Sequence, residues 1–126
     1  MQSNIKDFTD LDAWKEGHKL VLLTYKLTKT FPKEEIFVIT SQMRRAAISI
    51  TSNIAEGFGR FSYKEKVQFY LTAIASTVEL QNQFIISKDV GYLDEKTFKV
   101  VYEQTVKVHK ITNGLIKGAR ERGKNP

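Results

Sequence analysis

Hydrophobic positions recur every three to four residues along most of the chain, a spacing typical of helices that bury one face. This pattern predicts four helices, at about residues 12–31, 40–57, 62–90 and 94–118. Short connections make consecutive helices antiparallel neighbours. We therefore expect an all-α protein with a single domain, an up-down antiparallel four-helix bundle over residues 9–118.

Polar residues beside the predicted helices supply start signals. Asp10 or Asp12 can cap the first helix by accepting backbone N–H bonds. Ser62 and Glu65 form a capping-box pattern at the start of the third helix, and Asp94 can cap the fourth. These signals predict where each helix begins.

Residues 36–39 are expected to lead into the second helix. Their mainly β-branched character also suits a strand, although no partner strand is visible nearby. Thr40 or Ser41 is the expected cap, and Gly57 with Gly59 is the expected stop, because glycine tolerates the left-handed conformation.

Two segments lie outside the predicted bundle. Residues 1–8 are expected to form a flexible N-terminal arm, and residues 119–126 a basic, disordered tail. The opening residues lack the apolar run of a signal peptide, and no stretch approaches the ~18 apolar residues of a membrane span. With no cysteine in the chain, disulfides are excluded. We expect a cytoplasmic protein without membrane contact.

The second and third helices have patterns that call for more than one neighbour. Ala46, Ala47 and Ser49 are small enough to let another helix approach closely. The apolar arc of the third helix is wider than the ~100° of an ordinary surface helix. The third helix therefore lies either at the centre of the bundle or at a subunit interface.

The charge balance raises the question of an anionic partner. Twenty Lys and Arg against 14 Asp and Glu give a net charge of +6. Such a balance favours nucleic acid, but it also fits a lysine-rich protein with solvated faces. The candidate nucleic-acid-binding residues are Lys15, Lys19, Lys26, Lys99, Lys110, Lys117, Arg120 and Arg122.

Adjacent arginines in the second helix have two interpretations. They can hold helices or protomers in register by ion pairs, or they can bind phosphate. Neighbouring positions on a helix point about 100° apart, which disfavours one shared site. We favour a structural or assembly role for Arg44, Arg45, Asn53, Glu56 and Gly57.

Aromatic residues follow the second helix. Phe58, Phe61 and Tyr63 lie beside Arg60 and Lys64, a mixture that can stack on unpaired bases. The same residues can form a hydrophobic staple and a subunit contact, which we favour.

Catalytic and metal-binding patterns are lacking. Neither His18 nor His109 follows a glutamate three residues earlier, as a di-iron bundle would need. The Gly57–Arg60 stretch follows a helix, whereas phosphate loops follow a strand. We expect no catalytic residues, no metal, no cofactor and no enzymatic activity.

Several motifs resemble one bacterial family. They are Asp10–Trp14, Phe31–Pro32, Thr40–Ala47 and above all Ser52–Arg60. Together they resemble the four-helix-bundle family of 23S rRNA intervening-sequence proteins. That family usually has Gly-Ser in the third helix, where this chain has Ala75-Ser76.

The resemblance implies a ring-forming homopentamer that binds nucleic acid. A non-enzymatic protein that binds structured RNA, such as rRNA, through basic outer helix faces is the resulting expectation. The alternative is a protein–protein scaffold, or an accessory factor that binds an acidic partner or a reverse transcriptase.

Overall fold

The computed structural model describes residues 4–124, and its regular structure is entirely helical in that range. The four α-helices are α1 (Asp12–Thr28), α2 (Ser41–Phe58), α3 (Tyr63–Asp89) and α4 (Glu95–Lys124). No strand occurs between residues 4 and 124. The predicted all-α class, the single domain and the number of helices are confirmed.

Contacts between neighbouring helices show that the helices run antiparallel. The Ser49 hydroxyl of α2 lies 2.8 Å from the Ser76 hydroxyl of α3. Further along α3, Ser87 contacts Met43, which precedes Ser49 in α2. In the same way, α3 and α4 meet through Lys88 with Phe98, and α1 packs against both α2 and α4. The bundle therefore closes with α1 beside α4.

The core is built where small residues bring the helices together. Ala46 and Ala47 of α2 are completely buried. A Cβ atom on Gly17 of α1 would lie 3.1 Å from the Thr51 side chain, so α1 and α2 approach closely there. The largest fully buried side chains come from all four helices: Leu20, Met43, Ile50, Ile54, Leu80, Phe84, Val101 and Val108.

Two of the four predicted helix caps are present, and the predicted cap of α1 is wrong. Ser62 accepts a hydrogen bond from the Glu65 N–H (3.1 Å), and Asp94 accepts one from the Thr97 N–H (2.7 Å). By contrast, α1 begins after Leu11 without a side-chain cap. Asp10 is used elsewhere, because it ends the preceding 3-10 turn and accepts hydrogen bonds from the backbone N–H groups of residues 6 and 7, as the second half of a capping box with Asp7.

The start of α2 confirms that residues 36–39 lead into the helix, and it corrects the strand alternative and the expected cap. Residues Ile36–Thr40 form one turn of π-helix that runs directly into α2, so they are not a strand. Thr40 has helical dihedral angles and makes no side-chain cap, and the predicted cap there is wrong. The π turn leaves the Phe37 side chain 90% exposed.

Glycine does not end α2 by a left-handed turn. Gly57 is buried inside the helix, and Gly59 follows the helix at a φ of −80°. The predicted stop by left-handed conformation is therefore wrong. Gly91 after α3 is the glycine that adopts a positive φ, +90°.

Both terminal predictions are corrected for the residues that the structure describes. The predicted disordered tail is helical as far as Lys124, because Ala119 packs with Val67, Tyr70 and Ile116. At the other terminus, Ile5 and Phe8 pack against the core and are not a free arm. Residues 1–3 and 125–126 lie outside the described residues.

Candidate nucleic-acid interface

The eight predicted nucleic-acid-binding residues are all exposed, in two stripes and one cluster. Lys15, Lys19 and Lys26 follow one outward side of α1 at helical spacing. Lys99, Lys110 and Lys117 follow one outward side of α4, and Arg120 with Arg122 lies in its last two turns.

The antiparallel packing separates these residues into two ends. The last turn of α1, with Lys26, lies towards the first turn of α4, with Lys99. Lys15 and Arg122 are brought together at the opposite end, where they line one cavity of about 510 Å³ between the N-terminal segment and α4. The structure therefore does not gather the eight residues into one site.

Lys19 is held by an acidic residue. The Glu16 carboxylate accepts hydrogen bonds from Gln104 (3.0 Å) and Lys19 (3.1 Å), and the Lys107 ammonium lies 3.3 Å away. These donors, Gln104 most of all, lower the pKa of Glu16 to about 2. Part of the positive charge predicted to bind nucleic acid is thus balanced within the protein.

A cleft forms where α3 begins and α4 ends, and we call it the basic cleft. Its volume is about 350 Å³. The side chains that give it its character are Tyr63, Lys64, Val67, Gln68, Arg120 and Lys124. Among residues 4–124, no carboxylate lines it. An aromatic ring and three cations therefore share one concave surface.

Sequence reasoning missed two members of the basic cleft, Lys64 and Lys124. It placed Lys64 only in the aromatic stretch and assigned Lys124 to the tail. Ala119 continues the apolar period of α4, but the period alone does not show that Ala119 packs on Val67 and Tyr70 at the start of α3.

Lys66, close to the basic cleft, has a structural role. Its ammonium donates to the carbonyl oxygens of Phe58 (2.6 Å) and Gly57 (3.4 Å), at the C-terminus of α2. Burial lowers the pKa of Lys66, and the nearby Arg122 charge lowers it further. This lysine caps α2 and is not available to a ligand.

Arg44 and Arg45 of α2 each contact a neighbouring helix, and both line the same cavity. Arg44 donates to the Thr28 hydroxyl (3.0 Å) and stacks over the Tyr25 ring at 4.7 Å. Arg45 is largely exposed, and its guanidinium lies 3.9 Å from Glu79 of α3. Both line one cavity of about 450 Å³ beside Phe37. Their predicted assembly role stays a prediction.

The other predicted structural residues make contacts within the chain. Asn53 donates to the Ser49 carbonyl oxygen (2.8 Å) and hydroxyl (3.1 Å). Glu56 pairs with Arg60 at 3.0 Å on the surface. Gly57 lies against α3, where an added Cβ atom would come within 2.6 Å of the Tyr70 ring.

Neither a cluster of metal-ligating side chains nor a membrane-spanning helix is found among residues 4–124. His18 stacks on Trp14 with ring centroids 4.7 Å apart. Among residues 4–124, no three His, Asp or Glu side chains are arranged to hold a metal ion. Within the same range, no helix has the length and apolar character needed to cross a membrane.

A match to a protein-family model shows which family the chain belongs to. The model of the family described as 23S rRNA-intervening sequence protein matches residues 9–114, most of the chain. The chain belongs to this family. No curated protein matches the chain.

A solved structure shares the fold. It is a protein with unknown function from the S23 ribosomal protein family of Bacteroides thetaiotaomicron VPI-5482. The TM-score is 0.77 at 18% sequence identity, and the match covers 83% of this chain and 95% of that chain. At this identity the likeness establishes the four-helix fold alone.

The family match covers only part of α4. The matched region ends at residue 114, within α4. Arg120 and Lys124 of the basic cleft lie beyond it. The Ser52–Arg60 motif, by contrast, lies inside the matched region and forms the C-terminal half of α2 with the residues that follow it.

Proposed function

We propose that this protein binds RNA without catalysing a reaction, chiefly through the end of the bundle where α3 begins and α4 ends. The observation that carries the proposal is the charge of that end. Between residues 117 and 124, four cations accompany one carboxylate, Glu121. Lys64 of α3 adds to them across the basic cleft. The family name, which refers to rRNA, supports RNA as the polyanion.

Phosphate contact explains why exposed cations matter more here than their individual energies suggest. Each phosphate that a Lys or Arg neutralises releases condensed counterions, so binding weakens steeply as salt rises. Such contacts position RNA without reading its sequence. The lysine stripes on α1 and α4 are proposed to extend this surface, with Lys19 contributing less because Glu16 pairs with it. An RNA partner also implies a cytoplasmic location.

We further propose that the protein assembles into the ring-shaped homopentamer that the family resemblance implies. Two unlike surfaces at opposite ends of α2, a helix about 27 Å long, support this assembly. One holds the exposed Phe37 beside Arg45, and we call it the Phe37 surface. The other holds the fully exposed Phe61 beside Glu56 and Glu65, and we call it the Phe61 surface.

These two surfaces are complementary in chemistry. Each has an exposed aromatic ring. The Phe37 surface adds two arginines, whereas the Phe61 surface adds two carboxylates and a single arginine, Arg60, which pairs with Glu56. A contact between unlike surfaces is heterologous, and it closes into a ring when its rotation allows. In a ring, several weak RNA contacts add up through avidity.

Salt-dependent binding tests the RNA proposal. We expect affinity for a structured RNA to fall steeply with salt, and a triple Lys117→Gln, Arg120→Gln and Lys124→Gln variant to reduce the salt slope by about 2. The matched control removes the same charge at the other end of the bundle, with Lys29→Gln, Lys33→Gln and Lys96→Gln. Equal effects of the two variants, or binding independent of salt, would contradict the proposal.

A protein–protein scaffold is the second candidate, and the Phe37 surface favours it. Phe37 is 90% exposed next to the exposed Ile36 and Val38, and a contiguous exposed apolar patch marks a protein interaction surface. A specific partner, an acidic protein or a reverse transcriptase, that stays bound after nuclease treatment would favour the scaffold. Loss of that partner with the RNA would favour RNA binding.

A further inference from the structure

The basic cleft has the features of a site for an unpaired nucleotide and exceeds what phosphate binding alone needs. Phosphate contacts need only exposed cations, but this cleft also holds an aromatic ring and an amide side chain. Tyr63 is 37% exposed in the first turn of α3, and Gln68 lies one turn further on. Gly123 contributes no side chain to the opposite wall.

The Tyr63 ring is supported on one side by the protein. The Arg122 guanidinium lies 5.8 Å from the ring centroid, and the Tyr63 Cβ atom packs close to Gly123 of α4. These contacts orient the ring before any ligand arrives. An oriented aromatic ring loses little conformational entropy when a base stacks on it.

Phe61, two residues earlier, does not offer an equivalent surface. It is more exposed than Tyr63, but the cavity that it lines contains two carboxylates, Glu56 and Glu65. The arginine that lines the same cavity, Arg60, is paired with Glu56 at 3.0 Å. Carboxylates repel the phosphates that accompany a base. Among the exposed aromatic residues around the α2–α3 connection, Tyr63 has the surroundings that suit a nucleotide.

We propose that the basic cleft binds unpaired nucleotides of RNA, with a base stacked on Tyr63 and the flanking phosphates held by Lys64, Arg120 and Lys124. The inference rests on the proposed RNA-binding function and specifies its ligand. In a duplex the bases are stacked inside and cannot cover an aromatic face. An unpaired strand offers both a free base and phosphates, so the cleft discriminates unpaired RNA from duplex RNA.

The test compares one protein with two RNA forms. Fluorescence anisotropy measures binding of a labelled oligoadenylate of about 10 nucleotides and of a duplex of similar length. We expect Tyr63→Ala to weaken oligoadenylate binding by roughly tenfold and to leave duplex binding nearly unchanged. Tyr63→Phe keeps the aromatic face and should bind like the wild type. Tyr63→Leu keeps apolar bulk without that face and should behave like Tyr63→Ala.

The possible results separate the two proposals. Unchanged oligoadenylate binding by Tyr63→Leu, or equal losses for both RNA forms, overturns the stacking site while leaving RNA binding in place. Failure of the wild type to bind either RNA at low salt overturns the proposed function itself. Because Tyr63→Phe and Tyr63→Leu fill similar space, a difference between them reports on stacking and not on folding.

Discussion

At the scale of single residues, the space and the charges immediately around a residue decide its role. Gly57 is the clearest case, because the sequence presents it as a helix stop and the structure places it inside α2. A Cβ atom there would lie 2.6 Å from the Tyr70 ring and 3.0 Å from the Phe69 Cβ atom. Because Gly57 has no side chain, α2 and α3 can approach each other closely at this position.

Gly57→Ala should therefore destabilise the bundle. We expect a loss of about 1–3 kcal/mol in the free energy of unfolding, because the Tyr70 ring must move within a packed seam. Chemical denaturation monitored by circular dichroism measures it. Gly114→Ala is the matched control, since an added Cβ atom meets nothing within 4 Å there. That change should stabilise α4 by up to about 1 kcal/mol. Similar effects at both glycines would contradict the close-packing role.

Glu16 predicts a pH dependence of stability. Its carboxylate is favoured in the folded protein, where Gln104 and two lysines lower the pKa from 4.5 to about 2. The stabilisation is complete above pH 4.5 and is lost as the pH falls towards 2. Glu16→Gln should cost about 1 kcal/mol near pH 7, and this deficit should shrink in acid.

Chemical denaturation of the wild type and of Glu16→Gln, from neutral pH down towards pH 2, measures the contribution of Glu16 to the free energy of unfolding. Glu103→Gln removes an exposed carboxylate of α4 and serves as the control. A deficit for Glu16→Gln that stays constant from neutral pH to acid would contradict the ion-pair account.

At the scale of elements, the end of α4 is where sequence reasoning and structure differ most. Gly118, Gly123 and four cations are typical of a mobile tail, and helix propensity alone does not support a helix there. Burial of Ala119 against α3 supplies the missing stabilisation. Tertiary packing commonly overrides weak local propensity in this way.

Removal of residues 119–126 should therefore destabilise the whole bundle. The truncation uncovers Val67, Tyr70 and Ile116, for a loss of about 2 kcal/mol of hydrophobic stabilisation. A variant that lacks only residues 125–126 is the control and should match the full chain. Thermal unfolding distinguishes them, and identical midpoints for all three proteins would refute a folded end of α4.

At the scale of the whole molecule, exposed aromatic residues at two ends of α2 predict the manner of assembly. We expect Phe37→Ser and Phe61→Ser each to abolish the ring, because a heterologous contact uses one surface from each protomer. Val100→Ser is the control, as Val100 is an exposed hydrophobic residue that lies on neither surface. Native mass spectrometry gives the oligomeric state.

A mixture of the two serine variants provides the sharper measurement. Each variant retains the surface that the other lacks, so one intact contact can form between them and the mixture should yield dimers. An isologous interface predicts no such complementation. A ring that persists in either single variant would contradict the assignment of the surfaces.

Hydrophobic periodicity determined the helical class, the number of helices and their antiparallel order, because an amphipathic helix must bury its apolar face and short connections restrict how it can do so. The caps at Ser62 and Asp94 were predictable because each side-chain oxygen accepts a hydrogen bond from an N–H group only three residues further along the chain. The family motif around Ser52–Arg60 was also legible from residues alone.

Only the tertiary structure decided which residues meet across helices. It placed Gly57 in a packed seam, joined Glu16 of α1 to Gln104 of α4, and brought Lys64 beside Arg120 and Lys124. These contacts join positions far apart in the chain, and the spacing within one helix carries no information about a neighbouring helix. The basic cleft therefore emerges from the packing of α3 on α4, although every residue that forms it was visible in the sequence.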